Sequence, residues 1–186
     1  MLRCNMCAAI CLWRLLNSEL SSKFIVRCFA CATLGYHATK RDMRTMECTI
    51  NWMSGTGMGF VAETGSGHFL TMDGAPDGGG RNLAPRPMET VLAGTGACTA
   101  YDVVLILKRG RHAVAGCQVK VNAERAPVDP KVFTHIRMHF IVSGKGLPPA
   151  AVERAIAMSH EKYCSASIML AKTAQITTSF EVVEAA

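Results

Sequence analysis

Long apolar runs are missing from this sequence of 186 residues, and their absence bears on where the protein resides. No run of apolar residues reaches the roughly 18 that a helix needs to span a bilayer. The first segment also lacks the pattern of a secretory signal, because Arg14, Lys23 and Arg27 interrupt its apolar stretches. We therefore expect a cytoplasmic protein with no membrane partner.

Cysteine is scarce in most of the chain. Five of the nine cysteines precede Met46, and only Cys48, Cys98, Cys117 and Cys164 follow it. So few thiols argue against a fold stabilised by several disulfide bonds. They fit a reducing compartment, in which a disulfide is more often catalytic than structural.

Residues 46–186 also lack an excess of charge of either sign, although the whole sequence has a formal net charge of +6. Residues 1–45 contain seven basic and two acidic residues, so residues 46–186 contain thirteen basic and twelve acidic ones. A nearly neutral body gives no electrostatic reason to bind a polyanion. We expect no nucleic-acid partner.

Residues 1–45 show no sustained hydrophobic period and end in a charged run at 39–45. We interpret them as an extension that the fold does not need, with Met46 as an alternative start, and we predict one folded domain over residues 46–186. A targeting peptide is a second interpretation, because basic residues outnumber acidic ones. A zinc-binding appendage is a third, because the extension holds two Cys-x-x-Cys pairs at zinc-site spacing, Cys4 with Cys7 and Cys28 with Cys31.

The rest of the chain shows regular hydrophobic periods. Alternating apolar and polar residues, helical patterns and turn signals predict an ordered series of elements. They are strands at 47–52, 60–63, 68–72, 117–123, 136–142 and 176–183, and helices at 87–108, 149–163 and 164–172. This order predicts an α+β fold with a mainly antiparallel sheet. The strand positions of Cys48 and Cys117 predict inert, buried thiols.

The helix at 87–108 is apolar on nearly all sides. A helix of this kind is buried by neighbours rather than laid along a surface. We expect it to run through the middle of the domain or along an interface.

The familiar ligand motifs are also absent from residues 46–186. Two glycine patterns, at 55–59 and 94–96, lack the strand-to-helix context of a phosphate loop, and the loop at 73–82 lacks the acidic residues of a calcium site. His135 and His139 share a strand face, but no third ligand is evident. We expect neither a cofactor nor a bound metal in the domain.

Two thiols remain as candidates for chemistry. Asp102 lies one helical turn after Cys98, so its charge is expected to raise the pKa of that thiol. Cys164 opens a helix, where the helix dipole stabilises a thiolate, and His160 would lower its pKa further if the preceding helix continued unbroken. On electrostatic grounds Cys164 is the better nucleophile of the two.

Three stretches of the sequence resemble one known family. They are Pro87-x-Glu89-x-Val-Leu-Ala-x-x-Gly96-x-Cys98-x-x-x-Asp102-Val, then Phe140-Ile-Val-x-Gly144, then Glu161-Lys-Tyr-Cys164-Ser. Together they resemble the OsmC/Ohr family, and within it the YhfA-type branch of OsmC-like proteins, over residues 46–186. The resemblance implies an OsmC-like fold in an intertwined homodimer, with sheets wrapped around two long central helices and the thiols at the subunit interface.

The resemblance also implies an activity, the thiol-dependent reduction of organic hydroperoxides. Cys98 would be the peroxidatic thiol and Cys164 the resolving thiol, with a dithiol reductant restoring both. The peroxidase branches place a glutamate directly after the first proline of the helix and bring an arginine from the N-terminal strands. Here Met88 takes that position, Glu89 is the candidate catalytic carboxylate, and no arginine lies between Met46 and His68.

The alternative to an enzyme is a non-catalytic dimer of the same fold. Such a protein would bind a small apolar or thiol-reactive molecule at the dimer interface. Its cysteines would then be structural or redox-sensing.

Overall fold

Six strands and three α-helices follow one another in residues 45–185, the part of the chain that the computed structural model describes. In chain order they are β1 (Cys48–Trp52), β2 (Phe60–Thr64), β3 (Phe69–Met72), α1 (Pro87–Arg109), β4 (Ala113–Arg125), β5 (Phe133–Lys145), α2 (Pro149–Met158), α3 (Ser165–Leu170) and β6 (Gln175–Glu184). The predicted α+β order is confirmed. The zinc and targeting hypotheses concern residues outside the described range.

The strands form two separate three-stranded sheets, β1-β2-β3 and β4-β5-β6. The first sheet is antiparallel throughout, and β4 pairs with β5 as a long antiparallel hairpin. β6, however, lies parallel to β5. Because α2 and α3 lie between β5 and β6, the chain crosses over and returns in the same direction, as a parallel pair requires.

The core lies on one face of the second sheet. In the central strand β5, Ile136, Met138, Phe140 and Val142 are all buried, while the residues between them face the other side of the sheet. α1 packs on the buried face beside α2. α1 approaches β4 closely at Gly96, where an added Cβ would lie 2.9 Å from a methyl group of Val121.

Among the described residues, the neighbours of α1 cover it on one side only. It packs against β4, α2 and α3, yet Val91 and Tyr101 on its outer side are exposed, Tyr101 by 68%. By length and apolar composition alone α1 is the one helix in residues 45–185 that could cross a membrane, a property it shares with the core helices of soluble proteins. The position predicted for α1 in the middle of the domain is therefore only partly confirmed by the part of the chain that the structure describes.

The β1-β2-β3 sheet is equally uncovered. Among the described residues it makes little contact with α1 or with the second sheet, and Trp52 and Phe69 are 58% and 63% exposed. The prediction that Cys48 is a buried core thiol is wrong for the single chain, because every residue of β1 is exposed. The alternation of β1 is that of a half-buried strand, but residues 45–185 do not cover its apolar face.

A loop held by one carboxylate connects the first sheet to α1. Asp73, which is buried, accepts backbone N–H bonds from Gly74 at 2.7 Å, Leu83 at 2.9 Å and Arg81 at 3.1 Å. The backbone N–H of Asp73 donates to the carbonyl of Pro85, two residues before α1 begins. Asp73 thus fixes the path of the chain into the helix that carries Cys98.

The Asp73 carboxylate generates a prediction about acid stability. The hydrogen bond from Leu83 is the chief cause that lowers the pKa of Asp73 below its ordinary value of 3.8. A lowered pKa adds stability that is present above the ordinary pKa and is lost as the pH falls through the folded-state pKa. Asp73→Asn should therefore reduce the free energy of unfolding more at pH 7 than near pH 3.

Urea unfolding of the wild type and Asp73→Asn at both pH values measures this difference. Asp77→Asn, at an exposed position of the same loop, is the matched control. An equal loss of stability at both pH values would show that the charge of Asp73 does not hold the loop.

Candidate active site at Cys98 and Cys164

The fold brings together two thiols that are far apart in the sequence. Cys98 lies near the middle of α1, and Cys164 lies at the start of α3. Their Sγ atoms and a carboxylate oxygen of Asp102 all lie within 4.8 Å of one another. Cys98 and Asp102 share a face of α1 because they are four residues apart.

Cys164 is placed by an irregular turn. α2 ends at Met158 and continues into a π-helical turn, Ser159–Tyr163, in which the N–H of Cys164 donates to the carbonyl of Ser159 at 2.8 Å. Cys164 then caps α3, since its Sγ accepts the backbone N–H of Ser167 at 3.4 Å. Wider turns of this kind are frequent at functional sites.

The surroundings of Cys164 favour its thiolate. Burial opposes the charge of this fully buried side chain, but hydrogen bonds from Ser167, Cys98 and Thr99 outweigh burial and lower the pKa of Cys164 below its ordinary value. The Oγ1 atom of Thr99 lies 3.8 Å from the sulfur. This direction agrees with the expectation that Cys164 is the more acidic thiol.

The surroundings of Cys98 favour its protonated form. Burial is the first cause that raises the pKa of Cys98, and the interactions with Cys164 and Asp102 act in the same direction. Cys98 is, however, only half-buried, whereas Cys164 has no accessible surface. The site therefore pairs an accessible thiol with a buried thiol that ionises more readily.

Asp102 is oriented by the π-helical turn. The buried Ser159 hydroxyl donates to Oδ2 of Asp102 at 3.0 Å. This hydrogen bond joins α1 to the turn that carries Cys164. The carboxylate is thereby held beside the two sulfur atoms.

Glu89 lies far from this cluster. It is at the start of α1, about 13 Å along the helix axis from Cys98, and its carboxylate accepts the backbone N–H of Arg86 at 2.9 Å. Within one chain Glu89 acts as a helix cap. Its catalytic role stays a prediction.

The predicted effect of His160 on Cys164 depends on an unbroken helix, and that condition fails. The π-helical turn replaces regular α-helical spacing, and the groups that shift the pKa of Cys164 are Ser167, Cys98 and Thr99. Burial lowers the pKa of His160 itself. His135 and His139 lie on the outer face of the β4-β5-β6 sheet, where they approach Glu124 and Ser179.

Three polar side chains of the site are absent from the sequence-based predictions, namely Ser159, Ser167 and Thr99. Ser167 follows Cys164 by three residues. The side chain of a helix-capping residue accepts the backbone N–H of the residue two or three positions later, so this is the spacing of a cap and its donor. That spacing was a usable signal. Ser159 and Thr99 carry no such signal, because each reaches its partner only through the packing of the turn against α1.

Comparisons with known proteins agree on one family. The family model described as "OsmC-like protein" matches residues 78–179. Protein YhfA of Escherichia coli (strain K12) is 48% identical over 140 residues, which are 75% of this chain and 100% of that protein. A hypothetical protein from Aquifex aeolicus VF5, known by its crystal structure, is 26% identical with a TM-score of 0.67, covering 77% of this chain and 100% of that one.

An organic hydroperoxide resistance protein OsmC from Legionella pneumophila has the same fold. It is 19% identical with a TM-score of 0.59, and the match covers 76% of this chain and 100% of that one. The matched residues 78–179 include Cys98, Asp102 and Cys164, so the site described above lies inside the region that the family model matches. This chain belongs to the OsmC-like protein family.

Proposed function

We propose that this protein reduces organic hydroperoxides with Cys98 and Cys164 as a peroxidatic and resolving pair. The observation that carries the proposal is the meeting of two free thiols, 66 residues apart in sequence, within 4.8 Å in an OsmC-like fold. Structural relatives named as organic hydroperoxide resistance proteins support the substrate class. A dithiol reductant would restore the pair after each turnover.

Access decides which thiol attacks. A peroxide can reach the half-buried Cys98 but not Cys164, which has no accessible surface. Cys164 instead serves as the first base, because its thiolate is held by the N–H of Ser167 and lies beside the Cys98 thiol. The proton of Cys98 passes to Cys164 as the attack begins.

The first step forms an S–O bond and breaks the O–O bond. The Cys98 thiolate attacks the terminal oxygen of ROOH and becomes a sulfenic acid, while the alkoxide leaves and takes the proton from Cys164 as ROH. Two electrons pass from sulfur to the peroxide. Cys164 is again a thiolate.

The second step forms the disulfide. The Cys164 thiolate attacks the sulfur of the Cys98 sulfenic acid and expels hydroxide, which leaves as water after taking a proton from solvent. A disulfide needs an S–S distance of about 2.05 Å, so the sulfur atoms must approach by at most about 3 Å. Rotation of the two side chains can cover much of this distance.

We propose further that the protein acts as an intertwined homodimer. Two apolar surfaces support this assembly, the outer side of α1 with Val91 and Tyr101 and the β1-β2-β3 sheet with Trp52 and Phe69. Contiguous exposed apolar patches mark interaction sites in soluble proteins. A second copy would bury both and would bring further charged groups, Glu89 among them, towards the thiols.

A groove supports the alternative, non-catalytic function. It lies between α1 and β4, has a volume of about 580 Å³, and is lined mainly by apolar side chains such as Ala97, Tyr101 and Val104, with Cys117 at one side. A small apolar molecule fits a cleft of this size. This function remains if the thiols fail to reduce peroxides.

The peroxidase proposal predicts distinct outcomes for the two cysteines. Cys98→Ser should abolish turnover of an organic hydroperoxide by the full chain with a dithiol reductant, because the attacking sulfur is gone. Cys164→Ser should still consume one peroxide per site but form no disulfide, so that Cys98 is oxidised beyond the sulfenic acid. Steady-state peroxide consumption and mass spectrometry of the Cys98 peptide measure both effects.

Cys117→Ser is the matched control, since Cys117 is half-buried but lies outside the cluster. It should keep wild-type turnover. Turnover that survives Cys98→Ser, or no turnover above that of the free dithiol, would contradict the proposal and favour the ligand-binding alternative.

The dimer proposal predicts that a charge on the outer side of α1 weakens association. Tyr101→Glu should raise the Kd for dimerisation by at least about tenfold, because the carboxylate would be buried without a partner at the interface. Sedimentation velocity over a concentration series measures the Kd. Gln118→Glu adds the same charge at an exposed position of β4 and should leave the Kd for dimerisation unchanged. A monomeric wild type would refute the proposed assembly.

A further inference from the structure

The Cys98, Asp102 and Cys164 cluster has the composition of a metal site as well as that of a redox pair. Two thiolates and one carboxylate are a ligand set that Zn²⁺ accepts, whereas Mg²⁺ and Ca²⁺ take oxygen ligands alone. We propose that the reduced protein binds one Zn²⁺ through Cys98 Sγ, Cys164 Sγ and a carboxylate oxygen of Asp102. This goes beyond the proposed peroxidase function, which makes no use of Asp102.

The distances are close to those that zinc requires. A tetrahedral zinc ion with Zn–S bonds of about 2.3 Å holds two sulfur atoms roughly 3.8 Å apart. With a Zn–O bond of about 2.0 Å the oxygen lies roughly 3.5 Å from each sulfur. The three ligand atoms lie within 4.8 Å of one another, so contractions of at most about 1.3 Å would place them around one ion. The ligands come from the rigid helix α1 and from the capping position of α3, which limits how far they can separate.

Hydrogen bonds to two of the three ligands support the site. Ser159 donates to Oδ2 of Asp102 at 3.0 Å, and the N–H of Ser167 donates to Sγ of Cys164 at 3.4 Å. Outer hydrogen bonds of this kind orient metal ligands and are part of most zinc sites. Both Ser159 and Ser167 are fully buried. The peroxidase chemistry gives Asp102 no role, because its negative charge opposes ionisation of Cys98.

Three protein ligands leave one tetrahedral position open. Zinc sites with three protein ligands hold water or a substrate at the fourth position. The occupied site and the disulfide exclude each other, since both consume the same sulfur atoms. If the proposed peroxidase chemistry holds, ROOH and two protons convert the zinc-bound dithiolate into the disulfide, ROH, water and free Zn²⁺.

Metal binding to the full chain, kept reduced by a phosphine, tests the site. The background carries Cys4→Ser, Cys7→Ser, Cys11→Ser, Cys28→Ser and Cys31→Ser, so that cysteines of the extension do not bind the metal. We expect one Zn²⁺ per chain, and we expect Co²⁺ at the same stoichiometry to show thiolate-to-cobalt charge-transfer absorption. Cys98→Ser and Cys164→Ser should each weaken zinc binding by more than about 100-fold, and Ser159→Ala by about 10- to 100-fold.

Asp102→Asn separates a ligand from a neighbour, because it keeps the shape of the side chain and can still accept the Ser159 hydrogen bond. It should weaken zinc binding while circular dichroism shows an unchanged fold. Cys117→Ser, outside the cluster, should bind zinc as the background does. An affinity unchanged in Asp102→Asn, zinc binding that survives both Cys98→Ser and Cys164→Ser, or no stoichiometric zinc at all would overturn the proposal.

A second arm keeps this inference distinct from the peroxidase proposal. Treatment with an organic hydroperoxide before metal addition should abolish zinc binding if the thiols form the proposed disulfide. Zinc binding that persists after this treatment would contradict the peroxidase while leaving the metal site intact. Peroxide turnover without stoichiometric zinc binding would contradict the metal site alone.

Discussion

The packing of the Ser159–Ser167 segment against α1 is the constraint on which the site depends. α1 contributes Cys98, Thr99 and Asp102 along one face, and the segment contributes Ser159 and Cys164. The Ser159 to Asp102 hydrogen bond is partly buried, and removing Asp102 would leave the buried Ser159 hydroxyl without this partner, at a cost of about 1–3 kcal/mol. The same contact that stabilises the turn therefore places the second thiol beside the first.

The two sulfur atoms differ because their surroundings differ, although both are cysteines in one pocket. Hydrogen-bond donors surround Cys164, whereas Cys98 lies beside a carboxylate and a second thiol and has one backbone donor, the N–H of Ala166. Cys164 is thus the more acidic thiol, and Cys98 is the more accessible one. In a peroxidase this division lets the buried thiolate accept a proton while the accessible sulfur reacts, and in a zinc site it gives one thiolate formed in advance.

The fold could be predicted largely from hydrophobic periods. The helix expected at 87–108 is observed as Pro87–Arg109, and the hairpin of β4 and β5 begins and ends within a few residues of its predicted bounds. Long periodic segments signal their type strongly, because each buries one continuous face. The exposure of Cys48 was not predictable in this way. A two-residue hydrophobic period shows that a strand has an apolar face. It does not show whether that face is covered by the strand's own chain or by another.

The sequence by itself determined the helices and strands, the nearly neutral charge of residues 46–186 and the identity of the two candidate thiols, since these follow from composition and local spacing. It also contained the relation of Cys98 to Asp102, which helical geometry fixes within one turn. Only the tertiary structure decided that Cys164 meets them, that Ser159 orients the carboxylate, and that a π-helical turn interrupts the helix between His160 and Cys164. Contacts between distant segments depend on how helices and turns pack, and no local pattern of residues records that packing.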